Sequence, residues 1–196
     1  MKISMQFTAT LLMTYVCLSA SVNAADEQGR FMVKGGGRIG CEHYLTALET
    51  KGPEFISLAG WIEGFITYAN QQEQDTFDLV PWQSTELLMS AVANHCRQNP
   101  EKSFHQSAYH VLQGVKTGRL KSKSEPVNAT VADQSVVLYA DIVRRLQQKL
   151  KLRGLLTGDP TGIYDKETID AVREFQRVKK LPETGLPDQM TLAHLF

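Results

Sequence analysis

Two places in this chain hold residue types that could do chemistry. The first is Asn94-His95-Cys96-Arg97, with Cys41 and His43 upstream. A thiolate beside an imidazole can act as a nucleophile, and cysteines with histidines can hold zinc. The second is a repeat near the end. Thr161-Gly162-Ile163-Tyr164-Asp165-Lys166-Glu167-Thr168 is followed by Thr184-Gly185-Leu186-Pro187-Asp188-Gln189-Met190-Thr191. The copies share Thr, Gly, an aliphatic residue, Asp and a second Thr.

Spacing argues against chemistry in the first place. Adjacent residues on a helix point about 100° apart, so His95 and Cys96 diverge. Cys41 and His43, if helical, point to nearly opposite sides. His105, His110 and His194 stand alone, and no His-Glu-x-x-His or Asp-rich calcium loop occurs. This reading has no catalytic residue, no metal and no cofactor. In the repeat, Gly162 and Gly185 supply turns that a side chain would resist. Asp165 and Asp188 are N-caps for helices, each accepting from the backbone of the Thr three residues on, Thr168 or Thr191. Near the second helix, Tyr164, Arg173 and Gln176 offer hydrogen-bond donors suited to a ligand rich in carboxylates and amides.

The elements that carry these residues follow from pattern. The chain has 196 residues and no formal net charge, which gives no reason to expect nucleic acid as a partner. Its charge is uneven. Residues 25–115 hold 6 Lys and Arg against 11 Asp and Glu, and the rear is mildly basic, which supports a boundary between them. The first 24 residues read as a signal peptide: Lys2 is the only early charge, Phe7 to Ala20 is an apolar run, and Val22-Asn23-Ala24 suits cleavage. The run is short for a membrane span, so the mature chain is expected to lack a transmembrane anchor. Export to the periplasm leaves Cys41 and Cys96, and one disulfide between them is the expectation.

Residues 25–38, with Gly35-Gly36-Gly37, read as a flexible leader. From 39 to 115 apolar residues recur at helical spacing in four runs, with Ser84 and Ser103 as caps and Asn99-Pro100 as a stop. Gly60 and Gly64, one turn apart, suggest close approach of another helix. Residues 116–135 are polar and basic and read as a linker spanning roughly 25 Å as a flexible coil. Residues 136–196 give three more helices. The fold class expected is all-α: a disulfide-linked four-helix domain, a linker and a three-helix module.

Two resemblances add to this. Cys41-x-x-Tyr44, Trp61-x-x-Gly64, Tyr68-x-Asn70 and Cys96-Arg97-x-Asn99-Pro100, then Phe104 and Ala108, resemble the Tai-type and HdeA-like family. Those are small periplasmic helical proteins, among them immunity proteins against secreted amidases and acid-stress chaperones. Val143-Arg144-Arg145-Leu146-Gln147-Gln148-Lys149-Leu150, Ala171-Val172-Arg173-Glu174-Phe175-Gln176 and both repeat segments are similar to the peptidoglycan-binding domain-like family. That similarity implies a module that docks on peptidoglycan stem peptides. The expectation is a non-catalytic periplasmic protein whose rear module tethers a helical domain, itself bound to a protein partner, to the wall. Alternatives are an immunity-type inhibitor of a wall amidase and an acid-stress chaperone.

Overall fold

The computed structural model describes residues 25–196; the signal-peptide reading lies outside them. Residues 25–32 belong to one unit and Val33–Phe196 form a second, compact one. In the first, the Asp26 carboxylate accepts from the backbone N–H groups of Gln28 and Arg30 and closes a local turn.

The second unit opens on the glycine run, which is not a flexible leader. Gly35–Arg38 form a 3-10 turn. A Cβ at Gly37 would lie 2.2 Å from the Trp61 ring, and Trp61 Nε1 donates to the Lys34 carbonyl at 2.9 Å. Glycines are used here because an indole lies flat against the backbone. By contrast, a Cβ at Gly60 or Gly64 would meet nothing within 4 Å. No close helix approach explains those two.

Four helices follow: α1 (Cys41–Thr50), α2 (Pro53–Gln72), α3 (Thr85–Gln98) and α4 (Phe104–Val115). Pro53 suits the first turn of α2, where no intrahelical N–H is needed. Ser84 caps α3, and Ser103 with Gln106 forms a capping box on α4. The apolar faces enclose Tyr44, Leu58, Ile62, Met89, Val92, Phe104 and Leu112. The expected disulfide joins Cys41 to Cys96. Tyr44 donates from within this core to the Met89 carbonyl at 2.6 Å.

The segment read as a linker is structured instead. Leu120 exchanges backbone hydrogen bonds with Asp78 of the loop before α3 and buries its side chain in the rear core. Strands β1 (Pro126–Val131) and β2 (Gln134–Tyr139) then pair as an antiparallel hairpin, Val131 opposite Gln134. The turn holds Ala132 at φ 53° and lacks the Asn-Gly or Asp-Gly pair that marks such turns in sequence. Ala129 and Leu138 face inward, so the period-two pattern was present but short. Among the described residues the protein is therefore largely helical, with one two-stranded hairpin between its parts.

Helices α5 (Ala140–Leu152), α6 (Lys166–Lys179) and α7 (Gln189–Leu195) complete the fold. Ile142, Val143, Leu146, Val172, Phe175, Leu192 and Leu195 form the rear core. The two cores are joined by named contacts. Trp82 packs against the rear core and lies 5.4 Å from the Phe196 ring. Phe77 meets Tyr139 edge to face. Arg145 donates to the carbonyls of Gly118 and Arg119.

Cys41 and Cys96 are 55 residues apart in sequence, so their cross-link restricts a long loop in the unfolded chain. The Cys41→Ala, Cys96→Ala double variant should lose about 4 kcal/mol of stability. Urea denaturation without reductant measures this.

Candidate functional site

The His-Cys pair lies in α3. Cys96 is fully buried and its sulfur is bonded to Cys41, so no thiol is free there. The buried Ser107 hydroxyl lies 3.2 Å and 3.3 Å from the two sulfurs and 3.0 Å from His95 Nδ1. A serine without solvent access cannot meet a substrate. Burial, and then the neighbouring His110, hold His95 below the usual histidine range. His43 instead pairs with Glu54 at the surface, at 2.6 Å. Among the described residues no group of three or more His, Cys, Asp or Glu side chains could hold a metal ion.

The repeat is built as two equivalent turns, each gripped by a glutamine. Gln147 of α5 accepts from the Gly162 N–H at 2.8 Å and donates to the Ile163 carbonyl at 2.9 Å. It also donates to the Thr161 and Thr168 hydroxyls. Gln176 of α6 accepts from the Gly185 N–H at 2.7 Å and donates to the Leu186 carbonyl at 2.9 Å. It likewise reaches Thr184 and Thr191. Both glutamines are buried, so each amide replaces water for backbone groups that no helix satisfies.

Glycine is required at the centre of both turns. Gly162 has φ +83° and Gly185 φ +73°, and an added Cβ would lie 2.9 Å from the Ala140 carbonyl or from Ile169. Asp165 accepts from Thr168 at both N–H and hydroxyl, and Asp188 accepts from the Thr191 N–H at 2.7 Å. The Thr168 hydrogen bonds hold the Asp165 carboxyl below the usual range. The correspondence continues upstream, where the Arg144–Asp141 pair has its counterpart in Arg173–Asp170. Both arginines lie over their turn glycine.

The three residues expected to meet a ligand have different surroundings. Gln176 is fully buried and its amide is spent on the turn. Tyr164 is 8 % exposed and donates to the Gly185 carbonyl at 2.7 Å, tying the first turn to the second. Burial, reinforced by nearby Asp188, raises its pKa strongly, so the hydroxyl stays a donor. Arg173 alone keeps substantial exposure, with its guanidinium on Asp170. Gln147 lay in the sequence as part of an apolar stripe. Its signal was the double occurrence of Arg-x-Leu-Gln and Arg-x-Phe-Gln, residues 144–147 and 173–176.

Gln189, where the second copy departs from the first, also has a larger role than the sequence indicates. It accepts from the Ser84 N–H at 2.7 Å and donates to the Trp82 carbonyl at 2.6 Å. The equivalent Lys166 is at the surface, paired with Asp170. The departure from the repeat is what joins the module to the front bundle.

Residues 140–195 match the family model described as "Putative peptidoglycan binding domain". No curated protein and no solved structure matches the chain. The resemblance of residues 39–115 to Tai-type and HdeA-like proteins has no support from these comparisons.

Gln147→Ala or Gln176→Ala should each cost about 3 kcal/mol, because a buried N–H and carbonyl lose their partners. Lys166→Ala should change stability by less than about 0.5 kcal/mol, since its ion pair is exposed. Asp165→Ala should cost about 1 kcal/mol. Its folded pKa is depressed, so that contribution is complete above about pH 4 and fades as pH falls through the folded value. Urea titrations at pH 7 and at acid pH check all four.

Proposed function

We propose that this is a non-catalytic peptidoglycan-binding protein of the periplasm, in which the rear module holds the front helical bundle at the wall. The observation that carries this reading is the family match over residues 140–195, which covers both glutamine-gripped turns. The matched family is described by binding, with no reaction attached. The Cys41–Cys96 disulfide supports an oxidising compartment outside the cytoplasm.

In this reading Arg173 is the direct contact for a stem-peptide carboxylate, through its partly exposed guanidinium, which also pairs with Asp170. Tyr164 and Gln176 serve the ligand indirectly by fixing the turn beside it. The front bundle then meets a protein partner. Exposed Tyr68 and Tyr109 favour that role, since aromatic side chains carry much of the energy at protein interfaces. The acidic balance of the front suits a basic partner. An immunity-type inhibitor of a wall amidase is one alternative form of this reading.

The experiment is co-sedimentation of the full chain with purified sacculi. The protein should pellet with sacculi and stay in solution with cellulose. Arg173→Gln should weaken pelleting about fivefold or more, as loss of one charge-assisted contact. A chain that stays in the supernatant with sacculi contradicts the reading.

A further inference from the structure

Where the front bundle meets the rear module, the surface opens into a cleft of about 540 Å³. That is within the range of small-ligand sites. One wall comes from the loop before α3 and the end of α4, with Trp82 and Gly114. The other is the outer face of α5, with Arg145, Gln148 and Lys149, and Phe196 lies across the floor from Trp82.

Its charge is one-sided. No Asp or Glu side chain lines it, while Arg145 and Lys149 both do. Among the described residues neither cation has a carboxylate partner. Arg145 is instead held in place by the Gly118 and Arg119 carbonyls. Neighbouring cations differ, for Arg144 pairs with Asp141 and Lys151 with Asp159. Two unneutralised cations beside an aromatic pair and a free amide suit a ligand with a carboxylate, amides and an apolar portion.

Gly114 gives a second observation. It lies in the last turn of α4, where glycine is less favourable than alanine. A Cβ there would meet nothing within 4 Å, so packing does not require the glycine. Gly114 is itself part of the cleft lining, so a side chain there would add bulk at its wall.

We infer that this junction cleft binds a soluble, carboxylate-bearing stem-peptide fragment of peptidoglycan; the choice of fragment rests on the wall-binding reading above. The cleft uses residues from both cores, and the Gln189 hydrogen bonds to the Trp82 loop are among the contacts that hold its two walls together.

The test is calorimetric titration of the full chain with the disaccharide-tripeptide released enzymatically from sacculi. Wild type should bind, Lys149→Glu should weaken binding about tenfold or more, and Gly114→Phe should weaken it at least as far, leaving only the contact at Arg173. Circular dichroism should stay native in both variants, with the urea midpoint slightly raised by Gly114→Phe, which removes a helix glycine, and slightly lowered by Lys149→Glu, which places an anion in the last turn of α5. As a check on the ligand class, the same disaccharide lacking its peptide should not bind. Equal binding by wild type and both variants overturns the cleft. Pelleting of wild type with sacculi that weakens in Arg173→Gln, with no titration signal, overturns the cleft and leaves the wall reading at Arg173 intact. Absence of both overturns the wall reading and the cleft with it.

Discussion

Three glutamine amides hold this structure together where helices cannot. Gln147, Gln176 and Gln189 each accept from one backbone N–H and donate to one backbone carbonyl a residue or two away. Each amide thus behaves like one peptide unit of a neighbouring strand. The first two close the turns that start α6 and α7, and the third closes the loop that leads into α3. A buried peptide group without a partner costs more than a typical hydrogen bond returns, so these side chains decide which loop conformations survive folding.

From that constraint the rest of the module follows. A turn gripped from within needs glycine at Gly162 and Gly185, because α5 and α6 approach too closely for a Cβ. With the turn fixed, Asp165 and Asp188 are aligned to cap the next helix. Tyr164 then spans from one turn to the other and makes the two halves a single core. A core of three short helices is small, and satisfied caps and turns therefore weigh heavily in its stability. Leu120 and the hairpin extend that core backward, which is why the basic stretch before it is not a free linker.

Much of this was legible in the sequence, and the exceptions have physical causes. The four front helices, the disulfide and the rear helices were visible in apolar spacing, in Ser84 and Ser103, and in an even cysteine count after export. The hairpin was hidden because its turn uses Ala132-Asp133 and its strands are only six residues each. The docking of the two cores was hidden because it depends on Leu120 amid lysines and serines, and on Gln189, which looks like a lapse in a repeat. Periodicity reports which face of an element is buried; it does not report a long-range amide contact such as that between Gln189 and the Trp82 loop. Tyr164 and Gln176 looked like ligand donors because their type is right, yet their hydrogen-bonding groups are already used inside the fold.

The front bundle and the rear module form one body, joined at Leu120, Trp82 and Gln189, with the cleft as a fixed feature of the junction. The most direct measurement is a pulsed electron-spin distance between labels at the exposed positions Glu49, in α1, and Glu183, beside the second turn. A docked protein gives a single narrow distance distribution, and Gln189→Ala broadens it. A broad distribution in the wild-type protein, like that of two domains on a flexible tether, would contradict the account.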